Sequence, residues 1–132
     1  MKTSLSLFLL LAAALPLSAC GGAAEPKDAL YEQLQALIDN RCDDYAAGHV
    51  LAERSSARAS CVREQEQQHR PEGSLVSWFG PRAVAYPTQT LPVPGYPGLR
   101  FVDIAGDSRT CRFTLIEVDG HWLTTGRVDC TL

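Results

Sequence analysis

The cysteines are the residues of this chain whose type and spacing best support chemistry. Four of the five lie in two equally spaced pairs, Cys42 with Cys61 and Cys111 with Cys130. The chain has no Cys-x-x-Cys spacing, and no histidine stands close to a cysteine, so the ligand pattern of a zinc site is missing. These four cysteines are an even number, and an even number in an exported protein is typical of disulfides. We therefore expect two disulfides, with reduced buried thiols as the alternative.

The chain begins with the layout of a secretory signal peptide. Lys2 supplies a positive charge, residues 5–15 form a nearly unbroken apolar run, and Leu17-Ser18-Ala19 is small and cleavable. The run is shorter than the about 20 residues of a membrane span, and Pro16 stands at its end. We therefore expect export to a compartment where disulfides form.

The residues that include the fifth cysteine, Leu17-Ser18-Ala19-Cys20, resemble the lipobox of bacterial lipoproteins at every position. In that family the cysteine is linked to diacylglycerol and becomes the new N-terminus, and several acyl chains hold the protein on a membrane. The resemblance implies lipid attachment at Cys20. Gly21 in place of aspartate implies transport to the outer membrane of a two-membrane bacterium, facing the periplasm. An ordinary secreted protein cut after Ala19 is the alternative.

The sequence divides into three parts. Residues 1–19 are the expected lipoprotein signal peptide, residues 20–26 a lipidated tether, and residues 27–132 a single α+β domain. The formal net charge is −3, and it becomes one unit more negative when Lys2 is removed. The arginines are scattered rather than gathered on a basic face, so no nucleic-acid partner is expected.

Two helices are expected at the start of the domain. Asp28 can cap a helix that begins near Ala29, and its apolar stripe holds Leu30, Leu34, Leu37 and Ile38. This helix either weakens at residues 39–40 or continues to a stop at Gly48. Residues 50–68 have the composition of a second helix, whose small buried face would hold Leu51, Ala59, Cys61 and Val62.

An antiparallel sheet of about four strands is expected after the helices. Short apolar runs between Pro and Gly indicate strands at residues 75–79 with 84–86, 99–104, 110–118 and 121–130. Asp119-Gly120 predicts a type I′ hairpin between the last two strands. In an uninterrupted hairpin, the face toward the helices carries Cys111, Phe113, Leu115, Trp122, Val128 and Cys130. The fold class is therefore α+β, with the helices packed on the sheet.

The hairpin register leaves the cysteine pairing open. Cys111 would face Val128, so Cys130 lies beyond the opposite position, at the about 7–8 Å of a diagonal pair and too far for a disulfide. A bulge near residues 124–126 can shift the pairing, but an ordinary bulge shifts it by one residue. All three connectivities remain open. We favour the two equally spaced pairs over bridges between the helices and the sheet.

Several short motifs resemble a second group of proteins. They are Ala36-Leu-Ile-Asp39 with Asp44-Tyr-Ala-Ala47, Arg70-Pro-Glu-Gly73, Leu91-Pro-Val-Pro-Gly95 and Glu117-Val-Asp-Gly-His-Trp122. With the expected order of helices and strands, they are similar to the cystatin-like or nuclear-transport-factor-like α+β cone. Within that group they are similar to a bacterial envelope family of unknown function. The resemblance implies the fold, and the paired cysteines are not part of the family's pattern.

The resemblance also implies where acid/base chemistry would lie. Members of the cone-shaped group sometimes use an Asp with a His or Tyr, and the nearest candidates are Asp39, Tyr45 and His121. The three histidines, His49, His69 and His121, have no metal-type spacing, and we expect them on the solvated surface. We predict no catalytic residues, metal or cofactor.

The acidic residues and the aromatic residues each allow a structural and a functional interpretation. Asp39, Asp43 and Asp44 are expected to form a solvated helix end rather than a calcium site, which needs several oxygen ligands from a shaped loop. Trp78-Phe79 and Trp122 can line a ligand cleft, but aromatic residues at strand positions are expected to fill the core.

Residues 91–98, Leu-Pro-Val-Pro-Gly-Tyr-Pro-Gly, are expected to form a stiff, extended connector with an exposed tyrosine. A stiff loop loses little entropy on docking, so the candidate partner-binding residues are Pro92, Pro94, Tyr96 and Pro97.

Taken together, these features favour a lipid-anchored, periplasm-facing binding module that docks a protein or an envelope component. Inhibitors and immunity proteins that block cell-wall-degrading enzymes are one such class. The alternatives are a small-ligand carrier or acid/base enzyme with a pocket between helices and sheet, and a structural accessory of the envelope.

Overall fold

The computed structural model describes residues 25–66, 82–107 and 109–131. The helices are α1 (Pro26–Ile38), α2 (Cys42–Ala47) and α3 (Arg54–Glu66), with 3₁₀ turns at Leu51–Glu53 and Ala83–Ala85. The strands are β1 (Thr88–Val93), β2 (Tyr96–Ala105), β3 (Thr110–Val118) and β4 (His121–Asp129). They form one antiparallel sheet in the order β1-β2-β3-β4, so the α+β prediction is confirmed. The expected signal peptide and Cys20 lie outside the described residues.

Helix α1 ends through its backbone rather than continuing into α2. Asn40 has φ 56°, and its amide donates to the carbonyl oxygen of Leu37, while the Arg41 amide donates to Ala36. This pair of bonds is a Schellman motif, which satisfies the last carbonyls and turns the chain. Gly48 then ends α2. The predicted start was wrong, because Asp28 lies in the first turn and Glu25 occupies the N-cap position without a side-chain cap bond.

The second predicted helix is correct in position. Its predicted buried face is right at Cys61 and at the half-buried Val62, but wrong at Leu51 and Ala59. A 3₁₀ turn precedes α3, and the buried residues of α3 are Ala57 and Cys61. Leu51 is 79% exposed, and Ala59 is also exposed. Helical propensity placed the helix, but it carries no information about rotation about the helix axis, which the disulfide to α2 fixes at Cys61.

The first part of the sheet differs most from expectation. Residues 91–98 are not an extended connector: they contain the end of β1, a turn at Pro94-Gly95 and the start of β2. Residues 84–86 were predicted as strand, but they belong to a 3₁₀ turn and the bend after it. The other half of that predicted strand, residues 75–79, lies outside the described residues.

The β3–β4 hairpin contains a register shift that resolves the cysteine pairing. Asp119 and Gly120 both have positive φ, as the predicted type I′ turn requires. Leu115 pairs with Thr124 as expected, but Phe113 pairs with Val128 instead of Gly126. The shift is two residues, one more than an ordinary bulge provides. Thr125 holds the bulge by donating its hydroxyl hydrogen to the Thr114 carbonyl oxygen.

Both favoured disulfides are present. The shift brings Cys111 and Cys130 together with a Cα–Cα distance of 4.0 Å, and Cys42 joins Cys61 between α2 and α3 at 5.4 Å. On the hairpin face predicted to meet the helices, Cys111, Phe113 and Leu115 are buried. Val128 is an exception, since this residue of the edge strand is 40% exposed.

Helix α1 is hydrogen-bonded at both edges of the sheet, beside β1 and at β4. On one side, Tyr31 donates its hydroxyl hydrogen to the Tyr86 carbonyl oxygen at 2.6 Å, just before β1. On the other side, the Gln33 amide donates to Oγ1 of Thr124 in β4 at 2.8 Å. The main core lies between these ties and contains Leu30, Leu34, Ala83, Val102, Ile104, Cys111, Phe113 and Leu115. The helix is therefore held across the sheet, and its flank beside β4 forms the wall of a groove.

Candidate functional site

An open groove of about 710 Å³ lies between α1, the end of α2 and the hairpin end of β4. Helix α1 contributes Glu32 and Gln33 to one wall, and Ala47 and Gly48 come from the end of α2. The opposite side is lined by Val118, Asp119, His121, Trp122 and Leu123. Its volume lies within the about 300–1,000 Å³ of ligand sites.

A short segment covers part of the β4 edge beside this groove. Residues 48–50, here called the strap, run parallel to β4 at Thr124. The Thr124 amide donates to the Gly48 carbonyl oxygen at 2.9 Å, and the Val50 amide donates to the Thr124 carbonyl oxygen at 2.9 Å. The strap therefore pairs both edge-facing backbone groups of one β4 residue.

The side chain of His49, the central residue of the strap, forms a buried polar cluster with Gln33 and Thr124. His49 is only 7% exposed, and its Nδ1 lies 2.8 Å from the Gln33 amide nitrogen and 2.9 Å from the Tyr45 carbonyl oxygen. Burial is the main cause that lowers the pKa of His49 below its ordinary value, and the bond to Tyr45 opposes it. The prediction of a surface histidine was wrong at this position, because residues distant in sequence enclose the ring.

The acid/base candidates are not brought together at the groove. His121 lines the groove and is exposed, but neither Asp39 nor Tyr45 contributes to its lining. Tyr45 instead packs edge-on against His49 with ring centroids 4.7 Å apart. Its burial, with a smaller contribution from Glu64, raises the pKa of Tyr45 to about 12. His69 lies outside the described residues.

The acidic residues after α1 form ion pairs with arginines. Asp44 lies 2.8 Å and Asp39 3.7 Å from Arg41, and Asp43 lies 2.8 Å from Arg58. These exposed pairs agree with a solvated helix end. Within residues 25–66, 82–107 and 109–131, no three His, Cys, Asp or Glu side chains are placed to hold a metal ion.

The charges that line the groove divide into paired and available ones. Arg41 is engaged by Asp39 and Asp44. Arg54 donates from Nε to the His49 carbonyl oxygen at 3.1 Å, and among the described residues its guanidinium forms no ion pair. Asp119 stands at the hairpin turn, away from the strap. Glu32 on the α1 wall likewise forms no ion pair among the described residues, so the groove has one available cation near the strap and two carboxylates, one on α1 and one at the turn.

The candidate partner residues lie at the tip of the β1–β2 hairpin. Pro94 and Gly95 are the central residues of its turn, and Gly95 has φ 78°. Proline fixes a negative φ at the first position, so the combination is typical of a type II turn. Tyr96 is 63% exposed, and Pro92 and Pro97 are exposed beside it. The tip thus presents apolar side chains on a short turn.

Of the predicted aromatic residues, the structure describes Trp122 alone. It is half-buried, packs against the main core and also lines the groove, so it combines the two predicted roles. The guanidinium carbon of Arg100 lies 5.8 Å from the centroid of its ring. Trp78 and Phe79 lie outside the described residues. The groove itself was missed by sequence reasoning, since it depends on where α1 and α2 end relative to β4.

No protein-family model, curated protein or solved structure matches this chain. Among the described helices, none has the length and apolar character that crossing a bilayer would take. The class that the fold defines is a small, disulfide-linked α+β domain.

Proposed function

We propose that the chain is a lipid-anchored binding module of the bacterial envelope, attached through Cys20 to the outer membrane and facing the periplasm. The lipobox Leu17-Ser18-Ala19-Cys20 supports the anchor. The two disulfides support an oxidising compartment, because such bonds persist outside the cytoplasm. Their formation from all the cysteines except Cys20 leaves that residue for lipid.

The module docks a protein partner through the tip of the β1–β2 hairpin. The observation that carries this proposal is the exposure of Tyr96 beside a turn of two residues. Arg100 holds the base of the tip by donating to the carbonyl oxygens of Pro97 at 2.8 Å and Leu99 at 2.7 Å. Tyrosine is an effective anchor at interfaces because it offers a large rigid surface with a polar end, and a held turn loses little entropy on binding.

The anchor is tested by intact mass of the protein purified from membranes. We expect a chain that begins at Cys20 and carries acyl groups, with a loss of about four hydrogens for two disulfides. Cys20→Ser should remove the acyl mass and release the protein from the membrane fraction. A product that begins at Met1, or at residue 20 without acyl groups, would contradict the anchor.

The docking surface is tested with a photoreactive phenylalanine at Tyr96. Irradiation of intact cells should give one dominant crosslinked product, and the mass of that product identifies the partner. The matched control places the same group at Gln89, which is exposed on β1 but lies away from the tip. The purified partner should then bind wild type more tightly than Tyr96→Ala. Equal crosslinking from both positions, or equal binding by the two proteins, would refute docking through the tip.

The groove favours a second function, that of a small-ligand carrier with its site between helices and sheet. Its lining combines Trp122 with charged groups from α1 and α3. A carrier predicts ligand binding that is unchanged by Tyr96→Ala. The docking proposal predicts that Tyr96→Ala weakens binding of the protein partner.

A further inference from the structure

His49 belongs both to the strap and to the buried polar cluster. Its backbone lies between Gly48 and Val50, which hold the strap to β4 through two hydrogen bonds of 2.9 Å to the Thr124 backbone. Its ring is enclosed beside Gln33, and the residue is only 7% exposed. A change in the charge of this ring therefore acts directly on the contact between the strap and the sheet.

The neighbours of the ring determine which nitrogen carries the hydrogen in the neutral form. Nδ1 lies 2.9 Å from the Tyr45 carbonyl oxygen, which can only accept, so Nδ1 carries the hydrogen. The Gln33 amide nitrogen lies 2.8 Å from Nδ1 and 3.4 Å from Nε2, and it can donate only to Nε2, which keeps a free lone pair. The same amide donates to Oγ1 of Thr124 at 2.8 Å, and Oγ1 donates to the Gly48 carbonyl oxygen at 3.4 Å. The neutral ring thus completes a chain of hydrogen bonds that ends on the strap.

A second proton on the ring turns Nε2 from an acceptor into a donor. Nε2 then faces the Gln33 amide, which is also a donor, and the ring carries a charge where little water reaches it. A half-turn of the amide would present its oxygen to Nε2, but it would also draw the Thr124 hydroxyl hydrogen away from Gly48. Movement of the strap brings the charged ring to water, because His49 is part of the strap. The protonated ring therefore favours a strap that has left β4.

The charged groups around His49 do not compensate for the burial of a protonated ring. Glu53 favours the proton and Arg54 opposes it, so their effects are of opposite sign. Burial outweighs these two charges and the bond to Tyr45, and the pKa of His49 is lowered. The ionisable groups on the described elements around the ring are Glu32 on α1, Asp44 and Tyr45 on α2, Glu53 in the 3₁₀ turn and Arg54 on α3, while β4 contributes the uncharged Thr124.

We propose that residues 48–50 are an acid-released strap: a proton at Nε2 of His49 separates them from the β4 edge at Thr124. The flanking helices stay in place, because the Cys42–Cys61 disulfide joins α2 to α3 and a second core cluster packs both helices against α1. Release frees the edge-facing amide and carbonyl of Thr124 and changes one wall of the groove. The device does not depend on docking through the β1–β2 tip.

The experiment is hydrogen exchange of the disulfide-bonded protein, followed residue by residue by NMR. The reporters are the amides of Val50 and Thr124, whose hydrogen bonds join the strap to the strand. A released histidine has the ordinary pKa of about 6.5, while the closed strap disfavours the proton. Between about pH 7.5 and pH 5.5, protection of both amides should therefore fall about tenfold, after correction for the intrinsic exchange rate.

Urea separates release of the strap from unfolding of the whole domain. Release exposes little surface, so exchange of Val50 and Thr124 should be nearly unchanged by about 1 M urea. The comparison amide is that of Val102, which is fully buried in the central part of the sheet and should exchange only by global unfolding. Its protection should be higher and should fall when urea is added.

Two variants test the role of the ring and of the amide that faces it. His49→Gln removes the titrating group and should abolish the fall in protection. Gln33→Glu places an acceptor oxygen beside Nε2, which favours the proton in the closed strap, and should also prevent the fall. The matched control is Gln89→Glu, which adds the same charge at an exposed residue of β1 and should keep the tenfold fall.

Three results would overturn the proposal. The first is protection of Val50 and Thr124 that does not change with pH, as expected if the Gln33 amide turns while the strap stays in place. The second is a urea response of these amides equal to that of Val102, which would show that the proton acts on the whole fold. The third is a fall in protection that persists in His49→Gln or in Gln33→Glu.

Discussion

The two disulfides offer a quantitative test because their cysteines have the same spacing. Each bond joins residues with a sequence separation of 19. In the chain-entropy model, such a crosslink restricts the unfolded chain and stabilises the native state by about 3 kcal/mol. The model depends on loop length alone, so a bridge between helices and one across a hairpin should contribute equally.

The perturbation is a pair of double variants made on residues 20–132 with Cys20→Ser. One is Cys42→Ala with Cys61→Ala, and the other is Cys111→Ala with Cys130→Ala. Cys61 and Cys111 are both fully buried, so each variant also loses some buried side-chain volume, and this cost adds to both. We expect each to lower the free energy of unfolding by about 3 kcal/mol or somewhat more.

Urea and thermal unfolding measure the loss. For a domain of this size, about 3 kcal/mol lowers the melting temperature by roughly 12–24 °C. The urea midpoints of the two variants should agree, with the same slope as the parent. A loss under about 1 kcal/mol in either variant, or a difference above about 1.5 kcal/mol between them, would refute the loop-length reasoning.

Two further predictions concern the bulge and the buried histidine. Gly126→Ala places a methyl group on a backbone with φ 83°, 3.1 Å from the Glu53 side chain, and should lower the free energy of unfolding by about 1–2 kcal/mol, as measured with urea. Gly98→Ala is the control and should lower it much less, because open space surrounds Gly98. Since burial lowers the pKa of His49, the unfolded chain binds a proton more readily, and stability should fall as pH drops below about 6.5. The His49 contribution is limited to about 1.4 kcal/mol per pH unit. His49→Gln should reduce the slope of stability against pH, and an unchanged slope in that variant would show that the His49 ring is not its source.

Local rules predicted the parts of the fold that depend on neighbouring residues. Asp119-Gly120 identified the last hairpin because a two-residue turn with positive φ selects such residues. The spacing of Leu30 and Leu34 identified α1 and its buried side in the same way. These signals need no knowledge of the rest of the chain.

The features that sequence reasoning missed depend on distant contacts. His49 is buried because Gln33 and Thr124 come together from opposite ends of the domain. The prolines of residues 91–98 suggested a connector, but Pro92 lies on an edge strand, where a missing amide is tolerated. The groove needs the end of α2 and the β4 edge to be adjacent, and no local pattern encodes that adjacency.

The order of the disulfides along the chain has a consequence for synthesis. Cys42 joins the next cysteine, and Cys111 joins the one that follows it, so no bond spans another. A chain that enters an oxidising compartment N-terminus first would present each partner before the next pair arrives. Oxidation in order of emergence would then form the two native bonds without any need to reshuffle wrong ones.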